Sequence, residues 1–224
     1  MEAKYRTNRA LRVAFCLAAT MWAGTSALGQ MAPGYPDSVQ AYDPRELALL
    51  PQFCKHTQLF RAQVPGGSNV NEIQRWTAVM GPTFETMHHY CWGLMKTHRA
   101  LYLVRERQVR QFYLSDSIGE FDYVITRAPE DFILLPEVLT KKGENLVRLG
   151  KGPVGVAQFE RAMELKPDYW PPYAYMSDYF KDAGDPKKAR EILEKGLSNA
   201  PDAKALQRRL AELESGTERR RKAP

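Results

Sequence analysis

Cysteine is scarce in this chain, three among 224 residues. None sits in a Cys-x-x-Cys pair, which removes covalent haem attachment of the Cys-x-x-Cys-His kind. A His-Glu-x-x-His helix, a Gly-x-Ser-x-Gly elbow, a phosphate-cradling glycine loop and a dinucleotide fingerprint are also missing. Gly150-Lys151-Gly152-Pro153 reads as a turn, and the acidic pairs Glu130-Asp131 and Glu212/Glu214 read as solvated faces. No catalytic residue is assigned, and no cofactor is expected. Glycine and proline, fifteen each, are too few for a collagen-like or low-complexity chain. No period-2 strand pattern occurs, so the chain is expected to be all-α. What is present, 44% hydrophobic and 26% charged residues, is the composition of a folded domain and not of a disordered or polytopic membrane protein.

The net charge of +6 invites a nucleic-acid reading until it is located. Residues 1–29 carry +3, from Lys4, Arg6, Arg9 and Arg12 against Glu2. Arg219, Arg220, Arg221 and Lys222 put +4 on the last six residues, which leaves −1 for 30–218. A nucleic-acid-binding domain needs its cations on the folded surface that meets phosphate, so no nucleic-acid partner is expected.

The basic stretch ending at Arg12 leads into an apolar run, Val13 to Ala23, and then into small residues. That order is a secretory signal, and the run is shorter than the ~20 residues of a spanning helix. Ala27-Leu28-Gly29 allows cleavage before Gln30, with cleavage after Ala27 as the rival and an uncleaved anchor as the alternative. The expected organisation is a signal over 1–29, a Pro/Gly-rich leader over 30–42 and a helical region over 43–91. The protein is expected to be periplasmic or secreted, with no stable membrane insertion once the signal is removed.

Within 43–91, Asp43-Pro44 reads as a helix cap and first residue, and Pro51 implies a kink or two short helices. Asn71 is the expected cap of a helix holding Ile73 and Trp76, and 84–104 reads as one long buried helix. Cys54, His56, His88, His89, Cys91 and His98 crowd this part. Export favours a Cys54–Cys91 disulfide for the two cysteines left after signal removal. The competing readings are free thiols and a metal site using His56, His88 and Cys91, since imidazole and thiolate are zinc and copper ligands. Adjacent His88 and His89 point about 100° apart on a helix, which argues against both holding one ion.

The second half repeats itself with a period of 34 residues. Gly150 answers Gly184, Pro167 answers Pro201, Phe159 answers Leu193, Ala162 answers Gly196 and Gly155 answers Ala189. On these residues the chain resembles the tetratricopeptide repeat (TPR) family, in its exported bacterial form. The resemblance implies a short TPR-like solenoid of helical hairpins, two clear units over 136–203, divided as 136–169 and 170–203. Small residues at the crossings, Gly143 among them, let helices approach closely. Ser177 and Leu146 depart from the family's preferences, and Trp170 is expected as the second unit's packing aromatic. Phe121 and Pro129 stand 38 residues before Phe159 and Pro167, which marks a degenerate unit over 92–135. A capping helix over 204–215, with Leu206, Leu210 and Leu213 buried, and a basic disordered tail over 216–224 complete the expectation.

The resemblance further implies a non-enzymatic adaptor or scaffold whose first helices line a concave face. Carried onto this chain, the binding positions are Glu137, Thr140, Glu144 and Arg148, then Ala174, Asp178, Lys181 and Asp182. With Glu144 and Asp178 central, the expected partner is a basic or neutral protein or peptide. The alternative is an envelope metal- or redox-linked accessory protein using the Cys54/His56/His88/His89/Cys91 cluster.

Overall fold

A computed structural model describes residues 43–222, and the side chains of 43–215. The signal, its cleavage site and the leader lie outside the described residues. Among these the fold is all-helical, without strands, and no helix is long and apolar enough to cross a membrane.

The N-terminal region is a set of short pieces, of which the two helices α1 and α2 carry side-chain caps. Asp43 accepts the backbone N–H of Arg45 at 2.8 Å and Pro44 opens α1 (Pro44–Leu47). Pro51 then separates α1 from a 3-10 turn, Gln52–His56. Helix α2 (Val70–Met80) is capped by Asn69 and not by Asn71: the Asn69 side chain accepts from the Glu72 N–H. Gly81 ends α2 at φ +60°. The expected single helix over 84–104 is instead three pieces: a 3-10 turn (Gly81–Thr86), α3 (Met87–His98) and a π-helical turn (Arg99–Leu103). Helix α3 therefore straddles the boundary drawn at residue 91. Its neighbours on both sides share one core, in which Phe53, Phe84, Met87, Tyr90, Phe121 and Leu139 pack together.

Helix α4 (Arg107–Ile125) packs along α3 and leads to the repeated part. There α5 (Leu135–Arg148) and α6 (Gly152–Leu165) form one hairpin, α7 (Pro171–Asp182) and α8 (Pro186–Asn199) another. The two turns are built alike. Gly150 (φ +76°) donates to Val147 O while Lys151 donates to Leu146 O; Gly184 (φ +85°) donates to Lys181 O while Asp185 donates to Phe180 O. This is the Schellman pattern, whose left-handed residue is glycine because a Cβ there meets the following carbonyl. Gly184→Ala is expected to cost about 1 kcal/mol, read as a lower urea midpoint with an unchanged m-value.

At the α5–α6 crossing a Cβ on Gly155 would lie 2.8 Å from Gly143 O, and one on Gly143 would lie 2.6 Å from the Phe159 ring. These backbones meet only because neither residue has a side chain. Helix α9 (Lys204–Lys222) closes the stack. Leu206 is fully buried, and Leu210 and Leu213 pack on the second core, with Phe159, Tyr173, Met176 and Leu193. The helix runs on through 216–222, where a disordered tail was expected. Trp170 is 39% exposed; fully buried Tyr173 packs in the second core, its hydroxyl donating to Pro167 O at 3.0 Å.

Successive helices pack in order, α3 to α9. In addition α3 touches α5, α5 touches α7 and α7 touches α9, while α4, α6 and α8 make no comparable contacts with one another. The odd-numbered helices α3, α5, α7 and α9 thus form the row in which alternate helices touch.

Candidate protein-binding groove

Helix α5 touches both α3 and α7 in the row of odd-numbered helices. Val138, Leu139 and Leu146 turn into the core, which leaves Glu137, Lys141, Glu144 and Arg148 along one stripe, spaced by four, three and four. Thr140, placed on this stripe from the sequence, is fully buried, and its hydroxyl donates to Pro136 O at 2.7 Å. A step of three from Glu137 falls on the core side of this helix, whereas a step of four reaches Lys141. Ala174 and Glu144 are likewise buried, 1% and 7% exposed, so none of these three residues is open to a partner; Glu144 is drawn in by the packing of α5 and its carboxylate is taken up by Lys141 and Arg148.

The stripe is internally paired. Glu144 accepts from Lys141 Nζ at 2.9 Å and from both Arg148 guanidinium nitrogens at 3.2 Å. Burial acts to lower the Lys141 pKa, but the Glu144 carboxylate outweighs it and the net shift is upward, so Lys141 stays an ammonium. Its Nζ also lies 5.7 Å from the centre of the Tyr175 ring on α7. On the other side Tyr90 of α3, fully buried, donates its hydroxyl to Glu137 Oε1 at 2.5 Å. Burial first, and the Glu137 charge second, raise Tyr90 well above the usual phenol value. Tyr169 is raised by burial and then by Glu137 and Glu144. Both tyrosines are therefore permanent hydrogen-bond donors.

Further along the row, Asp178 of α7 is held by Arg209 of α9, with Nε at 3.0 Å and Nη2 at 2.9 Å, and Lys181 stands 3.7 Å away. Lys181 and Asp182 are exposed. A small cavity of about 180 Å³ is lined by Ser177, Asp178, Lys181, Arg209 and Glu212. Glu144 and Asp178, the two carboxylates on which a preference for basic partners was based, are each already neutralised by cations of this chain. Arg209 was not foreseen because it lies on the capping helix, and only the stacking of α9 beside α7 brings it to Asp178. Asn145 was also missed. It is fully buried and donates to Thr97 Oγ1 at 2.6 Å and Ser117 Oγ at 2.8 Å, which ties α3, α4 and α5 together beneath the stripe.

The fold does not gather the Cys/His cluster into a ligand set, although the His88 and His89 rings lie 4.3 Å apart, closer than their helical angle suggests, and both meet Trp92 edge-on. Cys54 and Cys91 form a disulfide, so neither offers a thiolate and the metal set His56, His88, Cys91 loses its sulfur. His56 Nδ1 donates to Gly67 O at 2.8 Å, His88 Nδ1 to Glu85 O at 3.0 Å, and His89 Nδ1 to Glu120 at 2.5 Å while its ring stacks on Tyr123. Among the described residues no three His, Cys, Asp or Glu side chains are grouped to hold a metal ion.

His88 and His98 have a measurable consequence. Burial, followed by the neighbouring His89, lowers the His88 pKa; burial, followed by Lys141, lowers that of His98. Below about pH 6.5 the unfolded chain takes up protons that these folded rings resist. Their contribution to stability is thus complete above that pH and declines below it. The drop in melting temperature between about pH 7.5 and about pH 5.5 is expected to be smaller in a His88→Gln/His98→Gln variant than in the parent.

Comparison of the chain with protein-family models, with curated proteins and with solved structures gave no match.

Proposed function

We propose that this chain is an exported, non-enzymatic adaptor of TPR type that holds a segment of another protein in the groove of α3, α5, α7 and α9. The observation that carries this reading is the stripe on α5. Glu137, Lys141 and Arg148 keep exposure along one side of this helix, between tyrosines of two neighbouring helices, while Glu144 is buried and paired with Lys141 and Arg148. A fixed, polar, aromatic-walled inner surface is what recognition of an extended or helical segment requires. The repeated Gly150 and Gly184 turns and the recurrence of the hairpin support the family reading. The adaptor reading is favoured over a redox accessory because the disulfide sulfurs are shut away: Cys54 is 1% exposed and Cys91 not at all.

The test is site-specific photo-crosslinking in cells. A photoreactive residue at Tyr175 or Lys181, on α7, is expected to capture a partner from outside the cytoplasm. The same residue at Glu160 or Glu194, exposed on α6 and α8, is expected to stay unreacted. Adducts only from α6 and α8 would overturn the groove. Amino-terminal sequencing of the captured protein checks export, with a start between Leu28 and Gln30 as the expected result and a start at Met1 as the contrary one.

A further inference from the structure

The carboxylates of the odd-numbered row are not equivalent. Glu144 has two cationic partners and Asp178 has two. Among the described residues Glu137 has none within 4 Å: Lys141, one turn away, commits its ammonium to Glu144. Among the same residues the hydrogen bond to the Glu137 carboxylate comes from the Tyr90 hydroxyl, on Oε1. An ionised carboxylate has about four acceptor sites, so most of its capacity is open. Glu137 is half-buried, with Tyr169 close enough to sense its charge.

We propose that Glu137 is the specificity-determining anchor of the groove and that it takes a basic side chain, Lys or Arg, presented by the partner. This rests on the groove reading and moves the basic preference away from Glu144 and Asp178. Two features favour a cation there. Among the described residues no cation lies within 4 Å of the carboxylate, although Lys141, one turn away, senses its charge. The position of the carboxylate is set before binding by a hydrogen bond from a fully buried tyrosine, so little ordering is lost when a partner arrives. Charge-assisted hydrogen bonds to a half-buried carboxylate are stronger than those at the open surface, and an anion without its own cation discriminates against acidic partners by repulsion.

The probe is a random peptide library selected on the full mature chain, with selected peptides mapped by competition against crosslinking from Tyr175. The expected result is that competing peptides share a Lys or Arg. Its replacement by norleucine, or Glu137→Gln in the protein, should each weaken binding on the order of tenfold, and the two together should weaken it no further. Glu137→Gln keeps an acceptor for Tyr90, so its melting temperature should match the parent and the loss is one of recognition. Competing peptides without a shared basic residue, or indifference to Glu137→Gln, would overturn the anchor and leave the groove standing. Failure to select any peptide that competes with the Tyr175 crosslink would overturn the groove and the anchor together.

Discussion

Replacing Cys54 and Cys91 by alanine is expected to destabilise the protein by about 4 kcal/mol. The bond spans 37 positions, and cross-linking a loop of that length removes conformational freedom chiefly from the unfolded chain. The consequence is large here because of what the bond joins. It fastens the 3-10 turn Gln52–His56 to the middle of α3, and Phe53, beside Cys54, lies 6.1 Å from the ring of Tyr90, beside Cys91. The described residues before α2 form a four-residue helix, a 3-10 turn and further turns, and the bond locks in place the burial of Leu50, Phe53 and Phe60 in the first core. Typical domains are stable by about 5–15 kcal/mol, so this one bond carries a large share. Urea unfolding of the double variant beside the oxidised parent measures the difference. A change below about 1 kcal/mol would mean that the unfolded chain already holds these segments together. Alkylation of the native oxidised protein should label no thiol in the mature chain.

Arg99→Met is expected to cost about 3 kcal/mol. Arg99 and Glu46 pair at 2.6 and 2.9 Å, with side chains 5% and 7% exposed. Removing the cation leaves a buried carboxylate with no charge to compensate its lost hydration, which costs more than the intact pair contributes. The damage has a direction, since Glu46 lies on α1 and can regain water by lifting that helix away. Proteolysis within 43–60 should therefore accelerate before global unfolding does. The Glu46→Met/Arg99→Met double variant removes both charges and should recover most of the loss. If it is as unstable as Arg99→Met alone, the effect belongs to packing around Arg99 and not to the stranded charge.

Much of the fold was legible because it is written in local chemistry. The period of 34 placed both hairpin turns on Gly150 and Gly184, since a left-handed residue at a helix end is a backbone requirement that one residue type meets best. Asp43-Pro44 started α1 and Pro51 stopped it for the same kind of reason. Where local signals compete, the reading slipped. Asn69 and Asn71 both suit a cap, and which one serves depends on where the preceding loop releases the chain. The run over 84–104 has the residues of one helix, yet the core around Phe84 and Met87 and the pairing of Arg99 with Glu46 accompany a backbone divided into three pieces.

The sequence by itself determined the helical class, the positions of the hairpin turns, the closely packed glycines and the pairing of two cysteines. Each is set by backbone geometry, by periodicity or by a count of possible partners. Only the tertiary structure decided which of the candidate residues are buried and which are paired. Whether Thr140 or Lys141 is the buried one depends on the rotation of α5 about its axis, and packing against α4 and α6 fixes that rotation. Which carboxylates are already paired depends on Arg209 reaching Asp178 across 31 positions of sequence and Tyr90 reaching Glu137 across 47. Electrostatic pairing acts over a few ångströms of space, and separation along the chain carries almost no information about that distance.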